Sequence, residues 1–322
     1  MYGGTCVLLH LMLSTIGLAF WHFISFLFLF FFFQAKDGIR GAQESRGLGD
    51  VYKRQSQHGF DAKLLAGGQS LIPAMNFRLA QPAALIDLNT IPDLAYLRPQ
   101  ADGGLAVGAM TRHSTIEHDP LVAARAPLLR AMAPHIAHAQ IRNRGTFGGS
   151  MAHSDPAGHW PTAALALQAR FRIMGASGER WLDADDFFLS LFTTALQADE
   201  LLAEVMLPPL PPRSRIGYQQ VARQHGAFPL AGVAAVITLD ERGRYQAARL
   251  VYLGAGEMPM IGAQAAKALL GQAPSSGVIA AAAEAAARYD VDPGGDIHAS
   301  AAYRRHLVKV LTRRVLHEIL PA

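Results

Sequence analysis

The chain carries the same turn device twice, and this limits what it can fold around. Ala66-Gly67-Gly68-Gln69-Ser70 follows the apolar pair Leu64-Leu65, and Gly145, Gly148 and Gly149 lie within Ile141–Pro161, IRNRGTFGGSMAHSDPAGHWP. Paired glycines let a backbone approach a ligand closely and turn several N–H groups towards one point, which suits a phosphate or pyrophosphate oxygen. On spacing alone Gly-Gly-Ser is equally an ordinary turn. Two such loops in one domain, however, can hold a long ligand at two places along its length.

The first loop sits between a strand candidate, Ala62–Leu65, and a helix expected to begin at Leu71 with Ser70 as its N-cap. Strand, glycine turn and helix N-terminus together form an anion site. No lysine follows the glycines, so this is not a Walker loop for phosphoryl transfer, and the spacing is not the GxGxxG of a Rossmann dinucleotide site. Ala84–Asp87 and Gly104–Gly108 are further strand candidates. Pro127–Ala139 has apolar residues at helical spacing (Leu128, Leu129, Met132, Ile136). His135 and His138 on that segment could form half of a metal site; with no acidic or sulfur partner nearby, they read as partly exposed surface histidines. Arg142 and Arg144 lead into the second loop, either to offset phosphate charge or as solvated side chains.

Leu64–Leu79 (LLAGGQSLIPAMNFRL) and Ile141–Pro161, in that order and with LAVGAMTRHSTIEHDPLV between them, resemble the two flavin-binding motifs of the FAD-binding medium subunit of molybdenum hydroxylases, the xanthine dehydrogenase and carbon monoxide dehydrogenase family. The resemblance runs from about His58 to the C-terminus. It implies an α+β fold: a two-subdomain FAD-binding domain of the PCMH type over residues 56–207, then an α+β C-terminal domain over 213–322 with an antiparallel sheet and helices. It further implies that Ala66, Gly67, Gly68, Gln69 and Ser70, with Thr146, Phe147, Gly148, Gly149 and Ser150, contact the FAD diphosphate and ribityl chain. Asp155 would help to hold the flavin or adenosine part, and Tyr218 would lie near the flavin ring, a plain packed tyrosine being the other reading. One departure stands out: many relatives carry a carboxylate where this chain has His159, in their Pro-Ala-x-acid-x-Pro pattern. His153 and His159 could carry protons, but a structural role is the preferred reading.

The function implied is an electron relay from an iron–sulfur small subunit through FAD to an external acceptor, with substrate hydroxylation on a separate large subunit bearing the molybdenum cofactor. No catalytic acid–base pair, nucleophile or metal ligand is assigned in this chain. A stand-alone flavin oxidoreductase of the same fold and a flavin-free structural subunit are the alternatives. Cys6 is the single cysteine, so no internal disulfide or cysteine-ligated cluster can form, and an intracellular, cytoplasmic setting fits. The formal charge of +4 gives no support for nucleic-acid binding, because residues 1–55 hold five basic and three acidic residues and leave only +2 for the rest.

Composition shifts abruptly near the start. Val7–Phe33 is an almost unbroken apolar run containing eight of the 16 phenylalanines, long enough for a transmembrane helix. The following QAKDGIRGAQESRGLGDVYKRQ has neither helical nor strand periodicity and resembles translated adapter sequence. Residues 1–55 are therefore expected to be a non-native extension, and the FAD-binding domain to lack its opening strand and helix. A genuine membrane anchor is the other reading. Leu207-Pro208-Pro209-Leu210-Pro211-Pro212 marks a domain boundary, since it can continue neither a helix nor a central strand. Beyond it, strands are expected at Gly217–Arg223, Val233–Leu239 and Tyr245–Leu253, and helices at Gly262–Leu270, Val278–Ala287 and Ala299–Leu320.

Overall fold

The computed structural model describes Gln43–Glu44 and residues 47–320; the apolar run Val7–Phe33 lies outside the described residues. The chain opens with β1 (Gln43–Glu44), α1 (Leu48–His58), β2 (Ala62–Leu65), α2 (Leu71–Asn76) and β3 (Ala84–Asp87). β3 lies between β1 and β2 and pairs in parallel with both. Parallel neighbours need crossover connections, and the helical segments α1 and α2 lie in them.

Helix α1 departs from the expectation for this region. Val51 is fully buried, and the amide of the buried Gln55 donates to the carbonyls of Ala198 at 3.3 Å and Glu200 at 3.1 Å. The expected boundary at residue 55 thus falls inside a helix, and a strand and helix do precede His58. Leu48, Val51, Tyr52 and Gln55 follow the i, i+3, i+4, i+7 spacing of one helical face, but the polar amide in the last position hides it. Gln55→Ala leaves two carbonyls without their donor, and is expected to lower stability by about 1–3 kcal/mol. The denaturant midpoint, at unchanged slope, checks this.

A second subdomain follows. β4 (Leu97–Pro99) and β5 (Leu105–Gly108) lead into a helical layer made of α3 (His113–His118), α4 (Pro120–Arg125), α5 (Pro127–Met132), α6 (Ala139–Arg142), α7 (Phe147–His153) and α8 (His159–Ala166). The single helix expected over Pro127–Ala139 is broken. It ends at Met132, gives one 3-10 turn at Ala133–His135 and then reverses through Ala137, whose φ of 44° no helix allows. Pro134, which lacks an N–H, occupies that turn. β6 (Arg170–Gly175) and β7 (Gly178–Asp183) form a hairpin, α9 (Ala184–Phe187) and the short pair β8 (Phe188–Ser190) and β9 (Thr193–Thr194) follow, and β10 (Glu200–Leu207) returns to the middle of the sheet. The order is β4-β5-β10-β6-β7, all antiparallel. Leu201 and Ala203 of β10 pack into the core of the first subdomain with Ile86 and Val51, whereas Leu202 and Val205 enter the larger core with Trp160 and Phe171. The central strand thus joins the two subdomains.

After the proline segment comes an antiparallel sheet, β11 (Ser214–Ala222), β12 (Pro229–Leu239), β13 (Tyr245–Leu253) and β14 (Met260–Ile261), in sequence order. Helices α10 (Ala263–Leu269), α11 (Ser276–Ala285) and α12 (Ala301–Ile319) cover one face. The other face packs on the first domain: Ala234 and Val251 belong to that domain's core, with Ile216 and Tyr218 against it. β12 is covered on both faces and therefore reads PLAGVAAVITL, apolar throughout rather than alternating. At Gly217 a Cβ would come within 2.5 Å of Val315, so its absence lets α12 lie close over the sheet.

Candidate cofactor site

The two glycine loops are in direct contact. A Cβ on Gly67 would lie 2.3 Å from the Arg144 carbonyl oxygen and 2.7 Å from the Gly145 Cα, and one on Gly149 would lie 3.3 Å from the Ala66 Cβ. The loops nevertheless differ in what they offer. Among the described residues, the backbone N–H groups of Gly67, Gly68, Gln69 and Ser70 have no backbone acceptor, and Gly68 adopts the left-handed φ of 73° that keeps the turn open. Gln69 folds its side chain back onto the Gly67 carbonyl at 2.9 Å. Ser70 does not cap α2. Its backbone is already helical, at φ −111° and ψ −45°, whereas a capping hydroxyl needs an extended residue; Ser70 is left exposed.

The second loop is a scaffold rather than a nest of free donors. The N–H groups of Phe147 and Gly148 donate to the carbonyls of Thr111 (2.9 Å) and Ala109 (2.7 Å), and those of Gly149 and Ser150 go to Thr146 Oγ1 (3.2 Å) and its carbonyl (3.1 Å). Thr146 is the N-cap of α7. Phe147 is wholly buried, with its ring 5.4 Å from Trp160, so its side chain belongs to the core. Gly148 and Gly145 are glycines because neighbours press on them: a Cβ would meet Ala109 Cβ at 2.4 Å and His113 Nε2 at 2.5 Å respectively. The half-buried Ser150 side chain and the N–H groups of the first loop are what remain to face a ligand.

Several residues that the motifs did not single out hold this arrangement. Asn89, just beyond β3, donates to the Ala66 carbonyl at 2.9 Å and accepts from Arg112 Nη2 at 2.8 Å, while Arg112 also donates to the Arg144 carbonyl. Arg112 thereby ties both loops to one guanidinium. Burial, and then the charge of Arg144, hold that guanidinium below its usual pKa, against the opposing pull of Asp87. Arg142, by contrast, is used inside the protein. It pairs with Glu117 at 2.6 Å and donates to the carbonyl of Ile136 at 3.0 Å. His113 accepts the Trp160 indole N–H on Nδ1 at 2.8 Å, and burial lowers its pKa to about 3. Sequence signals existed in the TRHS stretch and in the Trp next to His159, but nothing in spacing paired them across 47 residues.

At the end of α7, Ser154 has a φ of 54°, is fully buried, and its hydroxyl has no partner among the described residues. Asp155 accepts from Ala157 N–H at 2.8 Å and so closes the turn ahead of α8. His153 packs 5.0 Å from the Phe192 ring, and burial lowers its pKa. Tyr218 lies at the domain seam, hydrogen-bonded to Gln220 at 2.5 Å, with the His135 and His159 rings as its aromatic neighbours; none of these belongs to a glycine loop. His138 packs instead against His225, with ring centroids 5.9 Å apart.

Paired glycine loops at a strand end, free N–H donors and flanking arginines define a protein that holds an anionic, elongated cofactor. Residues 47–210 match the family model for the FAD binding domain in molybdopterin dehydrogenase, and residues 216–319 that for the CO dehydrogenase flavoprotein C-terminal domain. The chain is 39% identical over 262 residues to the 6-hydroxypseudooxynicotine dehydrogenase complex subunit alpha of Paenarthrobacter nicotinovorans, covering 81% of this chain and 88% of that one. It is 41% identical to the nicotine 6-hydroxylase medium subunit of the same organism, covering 80% and 89%. In structure it is similar to a chain of the carbon monoxide dehydrogenase of Hydrogenophaga pseudoflava that lacks the Mo-pyranopterin moiety, with a TM-score of 0.84 and 34% identity over 87% of this chain and 97% of that one. The chain belongs to the family of FAD-binding medium subunits of molybdenum hydroxylases. It is an oxidoreductase subunit, its cofactor is FAD, and it works within a multisubunit complex. Among the described residues no helix is long and apolar enough to cross a membrane.

Proposed function

We propose that the FAD pyrophosphate lies on the first glycine loop, with the second loop as its backing. The observation that carries this reading is the row of N–H groups from Gly67 to Ser70 that have no acceptor among the described residues, beside Arg112 and Arg144. Donors left without protein partners in a half-buried loop favour an anion that accepts from several of them at once. The Ser150 side chain lies on the same loop pair, and the orphaned Ser154 hydroxyl is a further group that fits a polar cofactor. Thr146, Phe147, Gly148 and Gly149 set the position of α7, and the N–H groups of Phe147, Gly148 and Gly149, already paired within the protein, stay out of ligand binding. Asp155 orders the turn that carries Ser154, and Tyr218 borders the flavin from the C-terminal domain.

FAD supplies the ability to accept electrons singly and release them in pairs, which suits a relay between one-electron and two-electron partners. The protein residues hold it, exclude water around it and keep its charge balanced. The donor in this reading is an iron–sulfur small subunit, the site of hydroxylation is a large subunit with the molybdenum cofactor, and the final acceptor is external. The setting is cytoplasmic. The purified chain is expected to show flavin absorbance and to be reduced by a chemical reductant, yet to oxidise no organic substrate until the partner subunits are added. Substrate oxidation by the isolated chain would instead make it a stand-alone oxidoreductase, and a colourless chain that takes up no added FAD would make it a structural subunit.

A further inference from the structure

The two domains meet where α8 packs on β13 and β12, and there its first residue, His159, reaches across to β11, where three polar side chains share one hydrogen-bond centre. Gln220 Oε1 lies 2.5 Å from the Tyr218 hydroxyl and 2.8 Å from His159 Nε2. An amide oxygen carries no hydrogen, so both neighbours donate to it, and His159 is the Nε2–H tautomer. His159 is 7% exposed and burial holds its ring neutral; burial also keeps the Tyr218 hydroxyl protonated. Tyr218 and Gln220 are two apart on β11 and so point to the same face, which turns towards the first domain, while Gln219 between them turns to α12, where it donates to Glu318. Tyr218 is thus held at its hydroxyl by Gln220. The imidazoles of His159 and His135 flank its ring, with centroids 5.8 and 5.3 Å away.

The pairing is specific to a donor at position 159. A carboxylate there offers only acceptors, and placed 2.8 Å from Gln220 Oε1 it would set two acceptors against each other. The amide would have to turn over, and the Tyr218 hydroxyl would lose the oxygen to which it donates. His159 and Gln220 therefore form a matched pair, one from each domain.

We propose that His159 is a positioning residue that acts through Gln220 to set Tyr218 at the flavin site, so that FAD binding is coupled to the docking of the C-terminal domain. This rests on the reading that Tyr218 borders the flavin. Through the clasp, a change in the first domain alters a side chain carried by the second. Conversely, a loosened seam releases Tyr218 and weakens FAD.

The test uses the full chain loaded with FAD, and reads the flavin absorption band, the FAD dissociation constant and the thermal midpoint with and without FAD. Tyr218→Phe and His159→Leu are each expected to shift the flavin band in the same direction and to weaken FAD by about tenfold, the scale of one lost buried hydrogen bond. The double variant should be no worse than either single one, because both break the same link. His159→Gln, which can still donate to Gln220, should restore the band and the affinity; a merely space-filling role would not distinguish it from Leu. Should His159→Leu fail to fold, Gln220→Leu removes the same link from the other domain and carries the same expectations. Wild-type band and affinity in His159→Leu, with both changed in Tyr218→Phe, would overturn the role of His159 alone. No change in Tyr218→Phe would overturn the placement of Tyr218 beside the flavin, and the proposal with it.

Discussion

Gly67→Ala is expected to strip the protein of FAD. The added methyl would sit 2.3 Å from the Arg144 carbonyl oxygen and 2.7 Å from the Gly145 Cα, both backbone atoms that cannot rotate away. The first loop must then move off the second. That separation disturbs the Ala66 carbonyl held by Asn89, the Arg144 carbonyl held by Arg112 and the direction of the free N–H groups. Forced overpacking of this kind costs about 1–3 kcal/mol in stability. The loss in FAD affinity should be larger, since charge-assisted hydrogen bonds are worth about 1.5–3 kcal/mol each and several would be misaimed together. A fall of about a hundredfold or more in affinity follows from two such bonds. Gly68→Val should act by another route, because Gly68 has a φ of 73° and Ile72 lies 3.1 Å from its would-be Cβ. Gly277→Ala is the control: no neighbour lies within 4 Å, and the first turn of α11 should gain up to about 1 kcal/mol with FAD retained. Equilibrium dialysis followed by the flavin spectrum measures all three. Retention of FAD by Gly67→Ala at the native midpoint would mean that the two loops do not share one ligand.

The loops were legible as loops because glycine pairs and flanking apolar runs are local signals. So were β2, β3 and β13, whose bounds at Ala62–Leu65, Ala84–Asp87 and Tyr245–Leu253 agree with the reading, since each is a short, mostly apolar stretch bounded by turn residues. The division of labour between the loops was not legible. Whether an N–H is free depends on which carbonyls lie across from it, and for Phe147 and Gly148 those belong to Thr111 and Ala109, far away in sequence. Arg142 and Arg144 looked alike as flanking cations. Only the fold separates Arg142, spent on Glu117, from Arg144, whose carbonyl meets Gly67. Helix α1 was hidden for a different reason, a glutamine in a core position that is satisfied by two carbonyls near β10. Buried polar groups break the hydrophobic period on which such reading depends.

The same buried polar groups should make the protein sensitive to mild acid. His113 and His159 lie in the interior, where burial first, and neighbouring positive charge second for His113, lower their pKa values to about 3 and about 4 from an ordinary 6.5. His135 and His153 are lowered in the same direction, again chiefly by burial. A histidine whose folded pKa lies below its unfolded value takes up its proton more readily when the chain is unfolded. Its contribution to stability is fully present above about pH 6.5 and is lost as pH falls, levelling out only below the folded value. At about 1.4 kcal/mol per pH unit and per histidine, His159 alone accounts for a loss on the order of 3 kcal/mol by about pH 4, and His113 for at least as much. Either loss is a sizeable share of the stability of an ordinary domain, about 5–15 kcal/mol. Between about pH 6.5 and 5 an ordinary carboxyl is largely ionised, and Asp290, whose pKa burial raises, acts in the opposite direction, so a falling denaturation midpoint in that window reports the histidines. Below it, Glu200, whose pKa Arg180 lowers, adds its own loss. His159→Gln keeps a donor for Gln220 but binds no proton, and should remove about one proton's share of the slope. The measurement is the denaturant midpoint of the FAD-free chain across that window, for wild type and variant. A flat profile for wild type would show that neither ring is buried as described, and an unchanged slope in His159→Gln would place the acid sensitivity on His113 and the remaining histidines.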